Sequence, residues 1–375
     1  MKKFLAIAAS AVLAFGTVAF VACEDKEAGG SAESATYKQV DLSTAEKKRA
    51  FVDEVSSKMD VEKLFGDVSA DDFSVGLALD MNFKSEVSVS AKDFPVSPVA
   101  KKDLAASAKL NFDESLKVKA SEKDRLASSK TNVSFSAKLP DELMDMMGTP
   151  DGAPEWMTLV TSLLSGFDYS LNSYLDNEYV YVQYPQSILE MLPEEAQGVL
   201  PESGKVKLPY ADLLNPSYPA IPEGYATASS ASTETALIVE QVMEMLINYN
   251  VDIAVSTENG YAVRLTAQKD ALLNILGDVT GDTQTVAMID QLATFNTCAI
   301  TAYLAVDNDG AFKEVSVKVD LDATIKIAAN LIQQGIPEIN GAIKLNTGIS
   351  VKKYDGKITL PSDLDNYIDI MSATD

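Results

Sequence analysis

From Phe73 to Phe83 every second residue is large and apolar (Phe73, Val75, Leu77, Leu79, Met81, Phe83), while Ser74, Gly76, Ala78, Asp80 and Asn82 fill the positions between. A period of two sends these sets to opposite sides of an extended strand, one toward a core and one toward water. The alternation returns in Leu104-Ala106-Ala108-Leu110-Phe112 and in Val133-Phe135-Ala137-Leu139. Strands with one wet face favour an antiparallel sheet, since parallel sheets are covered on both faces and their strands are apolar throughout.

Turn residues then divide the chain into hairpins. Tyr169, Leu171 and Leu175 lead into Asp176-Asn177, and Tyr179-Val180-Tyr181-Val182 leads out until Pro185. The strongest hairpin signal is Val251-Ile253-Val255, Asn259-Gly260, Tyr261-Val263-Leu265, because Asn-Gly supplies the positive φ angles of a type I′ turn. Ile300-Ala302-Leu304-Val306 turns at Asp307-Asn308-Asp309-Gly310 and returns through Val315-Val317-Val319-Leu321; another strand is expected near Ile343 to Val351, before the Asp355-Gly356 turn.

Helical spacing interrupts this pattern. Ser43 and Glu46 have the spacing of a capping box ahead of Phe51, Val52, Val55 and Met59. Trp156, Leu159, Val160 and Leu163 share a face within 141–164, and further helices are expected over 233–248, 268–295 and 323–334. Residues 186–214 read as short helices broken by Pro193, Pro201 and Pro209. The Pro-, Tyr- and Ser-rich stretch 215–232 reads as a surface crossing and marks the one candidate sub-boundary. A single domain over 37–375 is expected, because each half holds half-apolar strands with few helices to cover them.

Charge and composition narrow the chemistry. The chain of 375 residues has no histidine, which removes histidine bases, Ser-His and Cys-His nucleophiles and histidine metal sites. A net charge of −24 sets long-range repulsion against nucleic acid. Asp307, Asn308, Asp309 and Gly310 lack the spacing of a calcium loop, and Gly277 to Gly281 lacks the lysine of a phosphate loop, so no metal, cofactor or catalytic residue is expected. A carboxylate-dependent hydrolase stays open as a minor alternative, requiring two carboxylates facing across a cleft.

The amino terminus carries the sharpest signal. Lys2 and Lys3 precede an uncharged apolar run from Phe4 to Ala22, which closes with Phe20-Val21-Ala22 and is followed by Cys23 and the polar string Glu24-Asp25-Lys26-Glu27. Phe20-Val21-Ala22-Cys23 resembles the lipobox of bacterial lipoproteins, with Phe20 in place of the usual leucine. The resemblance implies cleavage after residue 22, a diacylglycerol and further acylation at Cys23, and a cell-envelope location, extracytoplasmic and anchored to a membrane through lipid. An uncleaved signal anchor is the rival reading of the same run. Residues 23–36 then form a flexible tether. The other cysteine, Cys298, lies in the apolar stretch Thr297-Cys298-Ala299-Ile300 and reads as a buried structural thiol.

The tyrosine-rich hairpin at Asp176 to Tyr181, the helical block before Cys298, the Val306 to Gly310 hairpin and the closing Ile358-Thr359-Leu360-Pro361 segment together resemble the lipoprotein-carrier-like proteins of the LolA and LppX type. That resemblance implies an α+β fold: a strongly curved antiparallel sheet, or half-open barrel, with helices packed on its concave face. It also implies a non-enzymatic role, binding a lipid or acyl chain in a cavity between sheet and helices. Two methionines on a helix that is apolar around most of its circumference suit such a lining, so Val242, Met243, Met245 and Leu246, with Leu292 and Phe295 from the next block, are the candidate cavity residues. An ordinary buried helix accounts for the same pattern. The alternative function is an envelope scaffold that binds another protein and has no cavity.

Overall fold

Alternation of period two persists much further along the chain than the sequence windows suggest. In a computed structural model that describes residues 32–58, 74–97, 100–121, 125–140, 166–191, 200–209, 245–327 and 338–370, strand β2 (Ser74–Ser97) runs 24 residues and β3 (Ala100–Ser121) runs 22. At about 3.3 Å per residue, β2 is roughly 80 Å long. The other strands are β1 (Lys38–Gln39), β4 (Arg125–Lys138), β5 (Phe167–Leu175), β6 (Tyr179–Gln183), β7 (Lys205–Pro209), β8 (Asp252–Ser256), β9 (Tyr261–Gln268), β10 (Ala293–Val306), β11 (Phe312–Ile327), β12 (Ile339–Lys353) and β13 (Ile368–Asp369). Among the described residues the α-helices are α1 (Ala45–Lys58), α2 (Lys269–Thr280) and α3 (Thr283–Leu292), and residues 245–248 are helical.

All 13 strands belong to one sheet in the order β1-β8-β9-β10-β11-β12-β2-β3-β4-β5-β6-β7-β13. Neighbours are antiparallel except β13 and β7, which are parallel. Strands from both sides of the 215–232 crossing are interleaved, since β1 pairs with β8 and β2 pairs with β12.

This corrects the expected fold class. The chain does not form an α+β half-barrel with helices on a concave face; it forms a single large, mixed sheet that does not close, ending in the two-residue strands β1 and β13. Three segments expected to be helical are strands, the shortest being 293–295, which open β10. Residues 323–327 continue β11, where Ala323 pairs with Ile343 and Ile325 with Gly341, and 205–209 form β7. In each, a ladder of cross-strand hydrogen bonds overrides the local helical spacing. The capping box also shifts: Thr44 caps α1, its Oγ1 accepting from the Lys47 amide at 3.3 Å, while Ser43 Oγ meets Lys47 Nζ.

The buried clusters lie toward the two ends of the strand order, while Leu77 and Ala91 of β2, Ala323 of β11 and Val351 of β12 are buried on the central strands. Phe51 and Val55 of α1 join Ile253, Tyr261, Val263 and Val306 in a buried cluster, and Ala271 of α2 packs on Val251 and Ala267. The Asn259-Gly260 turn has φ of 57° and 121°, and a Cβ on Gly260 would stand 2.1 Å from the Val306 carbonyl oxygen, so this turn admits only glycine. At the other end, the Tyr181 and Tyr367 rings meet edge to face at 5.4 Å, and Lys205 pairs with Asp363.

Candidate functional site

Directly opposed residues of paired strands share a sheet face, so the register sorts every side chain. Starting from Leu79, Met81 and Phe83 of β2, one face continues through Val351, Ile349 and Leu345 of β12, Val315, Val317, Val319 and Leu321 of β11, Ile300, Ala302 and Leu304 of β10, and Val263 and Leu265 of β9. In the other direction it continues through Leu116, Phe112 and Leu110 of β3, Val133 and Phe135 of β4, and Phe167, Tyr169 and Leu171 of β5. Phe135 and Phe167 lie 5.8 Å apart and Phe167 stacks on Tyr169 at 5.2 Å, so the β4–β5 part of the face is an aromatic ridge.

This apolar face is unevenly covered. Ile253 and Val306, beneath α1, are each 1% exposed. In the middle of the sheet Val87 is 39% exposed, Val89 45%, Leu110 37% and Ile349 48%. Val87, Val89 and Leu110 are neighbours across the β2–β3 ladder, while Ile349 stands opposite Met81, about 20 Å along β2 from Val87; exposed aliphatic side chains grouped on one face mark a binding surface.

The opposite face is a mosaic of charges that satisfy one another across strands. Lys109 meets Glu86 at 3.1 Å, Lys344 lies 3.9 Å from Asp322, and Asn346 donates to Asp320. A depression of about 480 Å³ lies over these residues, and the Lys109–Glu86 and Lys344–Asp322 pairs that line it are of the surface kind that contributes little. Farther along the same face the amino-terminal segment is docked. The Ala32 amide donates to Glu314 Oε2 at 2.7 Å, Glu33 pairs with Lys318 at 2.6 Å, and the Arg264 guanidinium lies 4.7 Å from the Tyr37 ring centroid. Burial, reinforced by Tyr303, pushes the Tyr37 hydroxyl up to about 12, so it stays protonated and donates to the Ala32 carbonyl at 2.8 Å. The described part of the 23–36 stretch is thus fastened to the sheet.

Glu314 is 2% exposed, and its bond to Ala32 is charge-assisted, a kind that contributes about 1.5–3 kcal/mol. Glu314→Ala is expected to release residues 32–37, raising their amide exchange or proteolysis roughly 10- to 150-fold by that energy while β-sheet circular dichroism stays constant. Unchanged protection of this segment would show that the other contacts hold it alone.

The sequence-derived candidates divide. Cys23, Val242 and Met243 lie outside the described residues. Met245 and Leu246 form part of the helical turn at 245–248, and Leu246 packs against both the Phe51–Ile253 cluster and the Val251–Ala271 cluster. Leu292 ends α3, and Phe295 lies on β10 with Lys269 Nζ 5.4 Å from its ring centroid. Cys298 is a half-buried free thiol whose pKa is raised by burial, opposed by Lys269.

The exposed group and one carboxylate within the apolar face, Glu114, were missed from sequence. The signal was present: in Leu110-Phe112-Glu114-Leu116-Val118 an acid occupies an apolar position of the alternation. Among the described residues no group of three or more His, Cys, Asp or Glu is arranged to hold a metal ion, and no helix is long and apolar enough to cross a membrane. No family model matches the chain, and no curated protein matches it.

Proposed function

We propose that this protein is a membrane-anchored envelope lipoprotein, tethered through acylated Cys23, whose open sheet shields a lipid or acyl chain against its apolar face without performing catalysis. The observation that carries the reading is the group Val87, Val89 and Leu110 on β2 and β3, with Ile349 further along the same apolar face, left 37–48% exposed. Each methylene of a ligand laid on that face contributes up to about 0.8 kcal/mol, so an acyl chain of ordinary length binds without strong polar contacts. The candidate site moves accordingly, from a cavity lined by the helix expected over 233–248 to the sheet surface itself.

Solvent extraction of the purified protein, which leaves a covalent anchor on the polypeptide, is expected to release a non-covalent apolar species near one per chain by mass spectrometry. A protein that extracts clean and takes up no fluorescent fatty acid would refute ligand shielding. The scaffold reading would then lead, supported by Leu276 and Met288 of the α2–α3 hairpin, which are 40% and 53% exposed.

A further inference from the structure

The apolar face carries one charged side chain away from its strand ends among the described residues, and that side chain is Glu114. It stands opposite Met81 of β2 and Thr131 of β4, with Phe112 and Leu116 two residues away on its own strand. Ser129 donates to its Oε1 and Thr131 to its Oε2, so both carboxylate oxygens are held by hydroxyls of the neighbouring strand. Ser173 lies directly across from Ser129 and extends the polar island onto β5. The side chain is half-buried.

A carboxylate set among apolar neighbours carries a desolvation cost, and two hydroxyl donors offset only part of it. An ionised carboxylate offers about four lone-pair directions, so two hydroxyls leave acceptor capacity unused. No cation among the described residues forms an ion pair with it. The net charge of −24 further draws small cations toward the protein.

Resting on the apolar-ligand reading above, we infer that Glu114, with Ser129 and Thr131, is the head-group subsite of this face, and that the ligand it selects is an amphiphile with a primary ammonium head. An ammonium brings donors only and a compact positive charge, which match the free lone pairs and the uncompensated charge. From Glu114 the tail has an apolar path along β3 over Phe112 and Leu110 to Ala108 and Ala106, where the opposing Val87 and Val89 are exposed. Glu114 to Ala106 is eight residues, or about 26 Å, enough for a long acyl chain. The two hydroxyls position the carboxylate, and the carboxylate itself makes the ionic contact.

The test compares dodecylamine, dodecanol and dodecanoate, below their micelle concentrations, in displacing a fluorescent apolar dye from the whole purified protein. Dodecylamine is expected to bind at least 10-fold more tightly than dodecanol, with dodecanoate weakest. Glu114→Gln, which keeps size and removes charge, should abolish the dodecylamine preference and leave dodecanol binding unchanged; Glu86→Gln on the opposite face should leave the preference intact. Equal binding of amine and alcohol by the unmodified protein, or a preference that survives in Glu114→Gln, overturns the head-group subsite while the apolar-ligand reading stands. Binding of none of the three probes overturns both. Should Glu114→Gln not fold, Ser129→Ala/Thr131→Ala is the second variant, and an undiminished preference there counts equally against the subsite.

Discussion

A Cys23→Ser variant is expected to leave the membrane fraction completely, to retain its uncleaved leader and so migrate more slowly, and to take up no fatty-acid label. Two or three acyl chains contribute about 0.8 kcal/mol per buried methylene, a hold that a serine cannot replace. The body offers no electrostatic substitute, because a net charge of −24 is repelled by an anionic bilayer. The docked segment adds a spatial consequence. Ala32 is fixed to Glu314, and the nine residues from Cys23 to Ala32 reach at most about 32 Å, so the anchor would hold the charged face near the bilayer. Fractionation with metabolic labelling checks this; a variant that still sediments with membranes at unaltered mobility would refute the lipid anchor.

The second large effect separates the packed end of the sheet from its exposed middle. Ile253 is 1% exposed among Phe51, Val55, Tyr261, Val263 and Val306, so Ile253→Ala should cost about 2–5 kcal/mol through lost transfer energy and an unfilled cavity. Val89→Ala removes a side chain that is 45% exposed and should cost less than about 1 kcal/mol. Urea denaturation of both variants checks the contrast, with the midpoint for Ile253→Ala shifted far more than that for Val89→Ala. Against a typical total of about 5–15 kcal/mol the first loss is substantial. Equal losses would mean that the middle of the face is as tightly packed as its end, and the exposed binding surface would be lost with it.

Local patterns made the strands and hairpins legible. Alternation predicted which residues of β2, β3 and β4 share a face, and Asn259-Gly260 and Asp307 to Gly310 predicted their turns, because the pleat and the sign of φ depend only on near neighbours. The candidate site was less legible. Met243 and its neighbours drew attention by composition, whereas Glu114 acquires its meaning only from Ser129 and Thr131, which reach it across the β3–β4 ladder.

What the sequence by itself determined is therefore the apolar and polar side of the alternating strands such as β2, β3 and β4, the hairpin turns at Asn259-Gly260 and Asp307 to Gly310, and the acidic charge. Tertiary structure alone decided that β2 pairs with β12, where Thr347 Oγ1 reaches the Asn82 carbonyl at 2.8 Å across 265 residues, that 323–327 extend a strand, and that the sheet stays open. The physical reason is distance along the chain: a turn or a pleat is set by residues a few positions apart. A choice between strand partners hundreds of residues away is made by whichever ladder pairs the most backbone groups and matches apolar face to apolar face.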